Sequence, residues 1–116
     1  MKTLITATAI SMTLFAASTA AEGLMTKEDA TQFCLGQASL ANTVMDARQA
    51  GVSMANMMTS VRSLEQSDLS LRLIDSVITM AYEEPRYSTA KVKQKVVTEF
   101  ENKVFLMCLQ NVRTAD

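Results

Sequence analysis

Few residues in this chain could do covalent or coordination chemistry. There are two cysteines, Cys34 and Cys108, and no histidine. Without imidazole, Ser-His-Asp and Cys-His nucleophilic machinery and His-based zinc sites are excluded together. Neither cysteine lies in a Cys-x-x-Cys motif or beside a basic residue, so neither has the setting of a reactive thiolate. An even cysteine count in an exported chain instead predicts a structural pair, Cys34 with Cys108.

The next candidates are sulfur and aromatic. Met54, Met57 and Met58 stand at i, i+3 and i+4, which puts three thioethers on one face of a helix. Soft sulfur selects Cu(I), and that is the metal reading of the cluster. Amphipathic core packing and an adaptable groove both produce the same spacing, and core packing is the simpler account. Around the single proline, Tyr82, Arg86 and Tyr87 gather both tyrosines and an arginine at one corner. Such residues are common at binding hot spots, making them the candidate partner-binding set. The plainer reading is an elbow, with Pro85 setting the turn and Tyr87 stapling the next helix ahead of a Ser88 cap.

Charged groups add less. Glu83-Glu84 and Glu99/Glu101 show no partner in the sequence, and acid–base chemistry needs carboxylates gathered in a cleft. Lys91, Lys93 and Lys95 alternate around a helix rather than sharing a face, which is no nucleic-acid footprint. Arg48 is placed to bond the last carbonyls of its own helix and complement the dipole there.

Four helices must position these groups. Thr26 ahead of Lys27-Glu28-Asp29 reads as a cap with acids in the first turn. An apolar stripe through Ala30, Phe33, Cys34, Ala38, Ala41, Val44 and Met45 follows, and Gly51 suits the left-handed residue that ends it. Ser53 starts a short second helix, and residues 62–67 hold a turn. Ser67 or Asp68 opens a third helix whose buried side carries Leu69, Leu73, Ile74, Val77, Ile78 and Ala81, and Pro85 stops it. Ser88 is expected to cap the fourth, with a stripe of Val92, Val96, Val97, Phe100, Val104, Met107 and Cys108. Lys95–Glu99 and Glu99–Lys103 are weak i,i+4 pairs on its surface. The expected fold is therefore all-α, a small four-helix bundle of three long helices and one short. Bridging Cys34 to Cys108 requires the first and last helices to pack together.

Residues 1–20 read as a signal peptide. Lys2 supplies the positive start, Leu4–Ala17 the apolar stretch, and Ser18-Thr19-Ala20 the small residues before cleavage, with Ala21 as the alternative site. The stretch is short of the ~20 residues a bilayer-spanning helix needs. Residues 21–116 then form a single helical domain, periplasmic or secreted, without membrane insertion after cleavage. Losing Lys2 moves the net charge from −1 to −2, a balance with no electrostatic footprint for nucleic acid.

The early cysteine, the Ala47–Val52 run, Ala81-Tyr82 with Pro85-Arg86-Tyr87, and Phe100 before Cys108 together resemble a loose group of short exported bacterial and phage-encoded proteins. These carry a single disulfide and no assigned activity, so the resemblance implies a compartment and a framework but transfers no functional residue. The sequence thus leads to the expectation of a non-catalytic protein without a cofactor, acting in the periplasm by binding another protein. Inhibitor, immunity and exclusion proteins are the type. A periplasmic stress chaperone is the alternative, and a Cu(I) protein using the methionine cluster is third.

Overall fold

The computed structural model describes residues 24–63, 67–112 and 114, leaving out the side chain of Leu69. The leader, its cleavage position and the middle of the expected 62–67 turn lie outside the described residues. Four helices occur among those described: α1 (Lys27–Ala50), α2 (Met54–Arg62), α3 (Asp68–Glu83) and α4 (Ala90–Asn111).

Their boundaries follow from short-range chemistry. The Thr26, Ser53 and Ser67 hydroxyls accept hydrogen bonds from the amides of Asp29, Asn56 and Ser70, each three residues on. Each satisfies one of the amides that a helix start leaves unpaired. At the end of α1, the Gly51 amide donates to the Arg48 carbonyl at 3.1 Å and the Val52 amide to the Ala47 carbonyl at 3.0 Å. This is a Schellman closure, and it holds Gly51 at φ +94°. A side chain at Gly51 would suffer in two ways. The left-handed backbone is strained for L-residues, and a Cβ would sit 3.0 Å from the Arg86 guanidinium. Gly51→Ala is therefore expected to cost about 1–2 kcal/mol, measured as a lowered midpoint in thermal unfolding with helicity otherwise retained.

One cap differs from the expectation. Thr89, not Ser88, caps α4, its hydroxyl accepting from the Val92 amide at 3.3 Å from an extended conformation. The helix thus starts one residue later, and the position before the cap is Ser88 rather than Tyr87. Tyr87 is then not in the staple position, and its backbone is held from α1 instead.

Helix α1 is central. It runs antiparallel to α4, with Cys34 facing Cys108 at one end (Cα–Cα 5.5 Å) and Gln49 facing Lys93 at the other. It also packs on α3, while α2 packs mainly on α3. Ala30, Cys34, Ala38 and Ala41 are all buried, so small side chains on α1 let its neighbours approach closely. The core then fills with Val44, Met45, Val61, Ile74, Val77, Ile78, Val97, Phe100 and Val104. The disulfide joins the first and last helices as expected. Near it, a lone parallel bridge pairs Met25 with Thr114, tying the chain before α1 to the chain after α4.

The α4 stripe is narrower than its pattern. Val92 and Met107 are exposed, and among the described residues α4 packs mainly on α1. On the surface, Lys95 reaches Glu99 at 3.9 Å, whereas no Glu99–Lys103 pair closes.

Candidate functional site

Polar atoms gather at the elbow between α3 and α4, and open space lies in the cleft between those same helices farther along and, between α1 and α4, in a pocket beside Asp46 and Lys93.

The elbow is organised by Gln49, a residue 2% exposed. Its side-chain amide nitrogen donates to the Pro85 carbonyl at 2.9 Å, and its oxygen accepts from the Tyr87 amide at 2.9 Å. One glutamine therefore clamps both sides of the α3–α4 turn, satisfying backbone groups that no helix ladder reaches. Its own backbone carbonyl, at the end of α1, accepts from Arg86 Nε at 3.4 Å and from the Lys93 ammonium. Two cations from elsewhere in the chain thus meet the negative end of the α1 dipole.

Arg48, expected to serve that end, does not. Its Nε donates to the Glu84 carbonyl at 3.1 Å, and its guanidinium lies 5.1 Å from the Tyr82 ring centroid. Pro85 blocks helical continuation at Glu84, leaving that carbonyl within reach of an arginine from the neighbouring end of α1. The Tyr82 hydroxyl donates to the Val52 carbonyl at 2.6 Å. Burial pushes the Tyr82 phenol above its ordinary range, against the lowering pull of Arg48.

The three residues singled out for partner binding are thus drawn together, but in different states. Tyr82 is committed to its own chain. Tyr87 is half-buried and held through its amide. Arg86 is exposed and holds Gln49 by one long hydrogen bond. Lys93, expected to be part of a solvated run, belongs to the clamp. Glu101, expected to lack a partner, accepts from the Asn42 amide at 2.8 Å across the α1–α4 seam.

The sequence reading missed Gln49. The signal was present, since Cys34, Ala38, Ala41, Met45 and Gln49 continue one buried stripe. A polar residue at the end of such a stripe must find buried partners.

The methionines divide. Met57 and Met58 pack partly buried against the core, while Met54 is exposed. Among the described residues, no three His, Cys, Asp or Glu side chains form a group that could hold a metal ion. No described helix is long and apolar enough to cross a membrane.

The second region is a cleft of about 480 Å³. Its floor is Phe33 and Gln37 on α1. Leu73, Ser76, Val77 and Met80 of α3 form one wall, and Val104, Met107, Cys108 and Asn111 of α4 form the other. Helix α3 runs parallel to α1 and α4 antiparallel to it, so the two walls are antiparallel to each other and join through the elbow. Among the described residues, the lining carries no ionisable side chain. Met25, tied to Thr114, closes one end beside the disulfide.

No family profile, curated protein or solved structure matches this chain. Its function must be argued from its own surfaces.

The elbow's polar atoms face one another and hold a turn. Among the described residues, the cleft offers an apolar trough with neutral hydrogen-bonding groups.

Proposed function

We propose that this chain is an exported, non-catalytic binding protein that acts on another protein, in the manner of inhibitor, immunity or exclusion proteins. The observation that carries the reading is the apolar cleft between α3 and α4, a trough whose described lining residues carry no charge. Two features support it. The Cys34–Cys108 disulfide fits an oxidising compartment. The Gln49 clamp fixes the elbow, so the walls of the cleft are set before a partner arrives, which lowers the ordering cost of binding. Arg86 and Tyr87 at the elbow are the second candidate contact.

A stress chaperone is the rival, and one observation favours it. Asp75 on α3 pairs with Arg62 on α2 at 2.9 Å, and its other carboxylate oxygen is buried without a partner. Breaking this pair would loosen the hold of α2 on α3.

The experiment is co-purification of tagged chain, with its leader, from periplasm at neutral pH. Wild type, Met107→Lys and the double variant Arg86→Ala/Tyr87→Ala are compared. The expected result is a chain beginning at Ala21 that retains one stoichiometric partner, lost in Met107→Lys. No partner from the wild type at neutral pH, with many unrelated clients only after acidification, would hand the case to the chaperone.

A further inference from the structure

We infer that the Cys34–Cys108 disulfide is a thiol-exchange site with one entrance. An external thiolate enters at the Cys108 sulfur, and Cys34 is the sulfur that leaves and closes the bond again. This goes beyond the binding reading above, and neither depends on the other.

Burial sets the direction. Cys34 is 0% exposed, in the second turn of α1, with Ala30, Ala38 and Ala41 buried on the same stripe. Cys108 is half-buried, in the last turn of α4. Among the described residues, Cys108 borders the open space between α3 and α4, and Cys34 does not. Thiol–disulfide exchange depends on which sulfur a thiolate can reach, along the S–S axis and from the side away from the other sulfur. At Cys34 that approach would run through the buried face of α1. At Cys108 it meets a residue that solvent already touches.

The co-reactant is a small thiol. Its thiolate RS⁻ forms a bond to the Cys108 sulfur while the Cys34–Cys108 bond breaks, and the electron pair leaves with Cys34 as a thiolate. A second RS⁻ attacks the mixed disulfide at the sulfur carried by R, giving RSSR and the Cys108 thiolate. The two protons lost by the thiols end on the two cysteines, so two thiols are oxidised and one disulfide is reduced.

Between those steps the burial of Cys34 acts in the opposite sense. A thiolate left in apolar surroundings is poorly solvated, which makes Cys34 a poor leaving group and a ready nucleophile. It also stays beside the sulfur it left. Helices α1 and α4 remain joined by the Asn42–Glu101 and Lys93–Gln49 hydrogen bonds and by their packed seam. Return of Cys34 to Cys108 therefore outruns attack by a second thiol. The crosslink is reached without unfolding the bundle, yet each opening tends to reverse.

The test exposes the folded, disulfide-bonded chain to reduced glutathione, quenches with acid and alkylates with N-ethylmaleimide in urea. Peptide mass spectrometry then reads which cysteine carries glutathione and which carries the maleimide. The expected result is glutathione on Cys108 and maleimide on Cys34, by at least tenfold over the reverse, at an initial rate proportional to glutathione concentration. Glutathione on Cys34, or equal amounts on both, overturns the proposal. A rate independent of glutathione also overturns it, since the bond would then be reached only through global unfolding. Single-thiol variants give a second readout, with an aromatic disulfide reagent that releases a coloured thiolate. The Cys108 thiol of Cys34→Ala should react at least tenfold faster than the Cys34 thiol of Cys108→Ala, and the two should react alike in urea. Equal native rates in variants that circular dichroism shows to be helical overturn the proposal. Where a variant is not helical, the wild-type map decides alone.

Discussion

Replacing Cys34 and Cys108 together with alanine is expected to lower the stability of the domain by about 4 kcal/mol. The two positions are 74 residues apart in sequence, so the bond closes a loop through nearly the whole helical domain. Its main effect is on the unfolded chain, which loses the freedom to separate its ends, and the loss grows with the logarithm of loop length. Alanine is the better replacement because Cys34 is fully buried, and a serine hydroxyl there would add its own desolvation cost. A domain of this size is stable by only about 5–15 kcal/mol, so the change removes a large fraction of the total. The measurement is urea unfolding of the oxidised chain, the chain in reductant, and the double alanine variant. With a slope of about 1–3 kcal/mol/M, the midpoint should fall by more than 1 M in both altered forms. A midpoint unchanged by reduction would show that the unfolded chain is already held together by something else.

Gln49→Leu is the second large effect, expected at about 3 kcal/mol. Leucine retains the apolar bulk but removes both a donor and an acceptor. The Pro85 carbonyl and Tyr87 amide then lose their partners in a partly buried turn, at about 1–3 kcal/mol for each group left unsatisfied. The consequence is local as well as global. Hydrogen exchange at the Tyr87 amide should accelerate far more than exchange in the middle of α1, since the clamp holds the elbow rather than the helix. Gln49→Glu separates the two halves of the clamp. It keeps an acceptor for Tyr87 but turns a carboxylate toward the Pro85 carbonyl, so it should also destabilise at neutral pH. A loss below 1 kcal/mol in Gln49→Leu, with unchanged exchange at Tyr87, would mean that Pro85 and the flanking helices hold the elbow unaided.

These two predictions depend on sequence information of different kinds. The disulfide was legible because cysteine has little else to do in a chain without histidine or a redox motif. Helix starts were legible at Thr26, Ser53 and Ser67, where a hydroxyl three residues ahead of an amide suffices. At α4 the same logic met two adjacent hydroxyls, Ser88 and Thr89, and chose the wrong one. Both can cap, and the choice depends on how the elbow is clamped from α1. Arg48 was assigned to its own helix end because sequence proximity was the available guide. In the fold, a carbonyl freed by Pro85 lies within its reach, and cations from the other side of the elbow supply the α1 end.

The sequence by itself determined the all-helical class, the caps of α1 and α2, the cap of α3 to within the Ser67-Asp68 pair, the Gly51 stop and the identity of the covalent link. These rest on interactions within about four residues, or on the chemistry of a residue type with a single available partner. Only the tertiary structure decided that α3 and α4 both lean on α1 and leave between them a trough whose described lining residues carry no charge. It also decided that Gln49 is the clamp of the elbow. Apolar periodicity states which face of each helix avoids water, but not which neighbour covers it, and an open seam is a fact about neighbours.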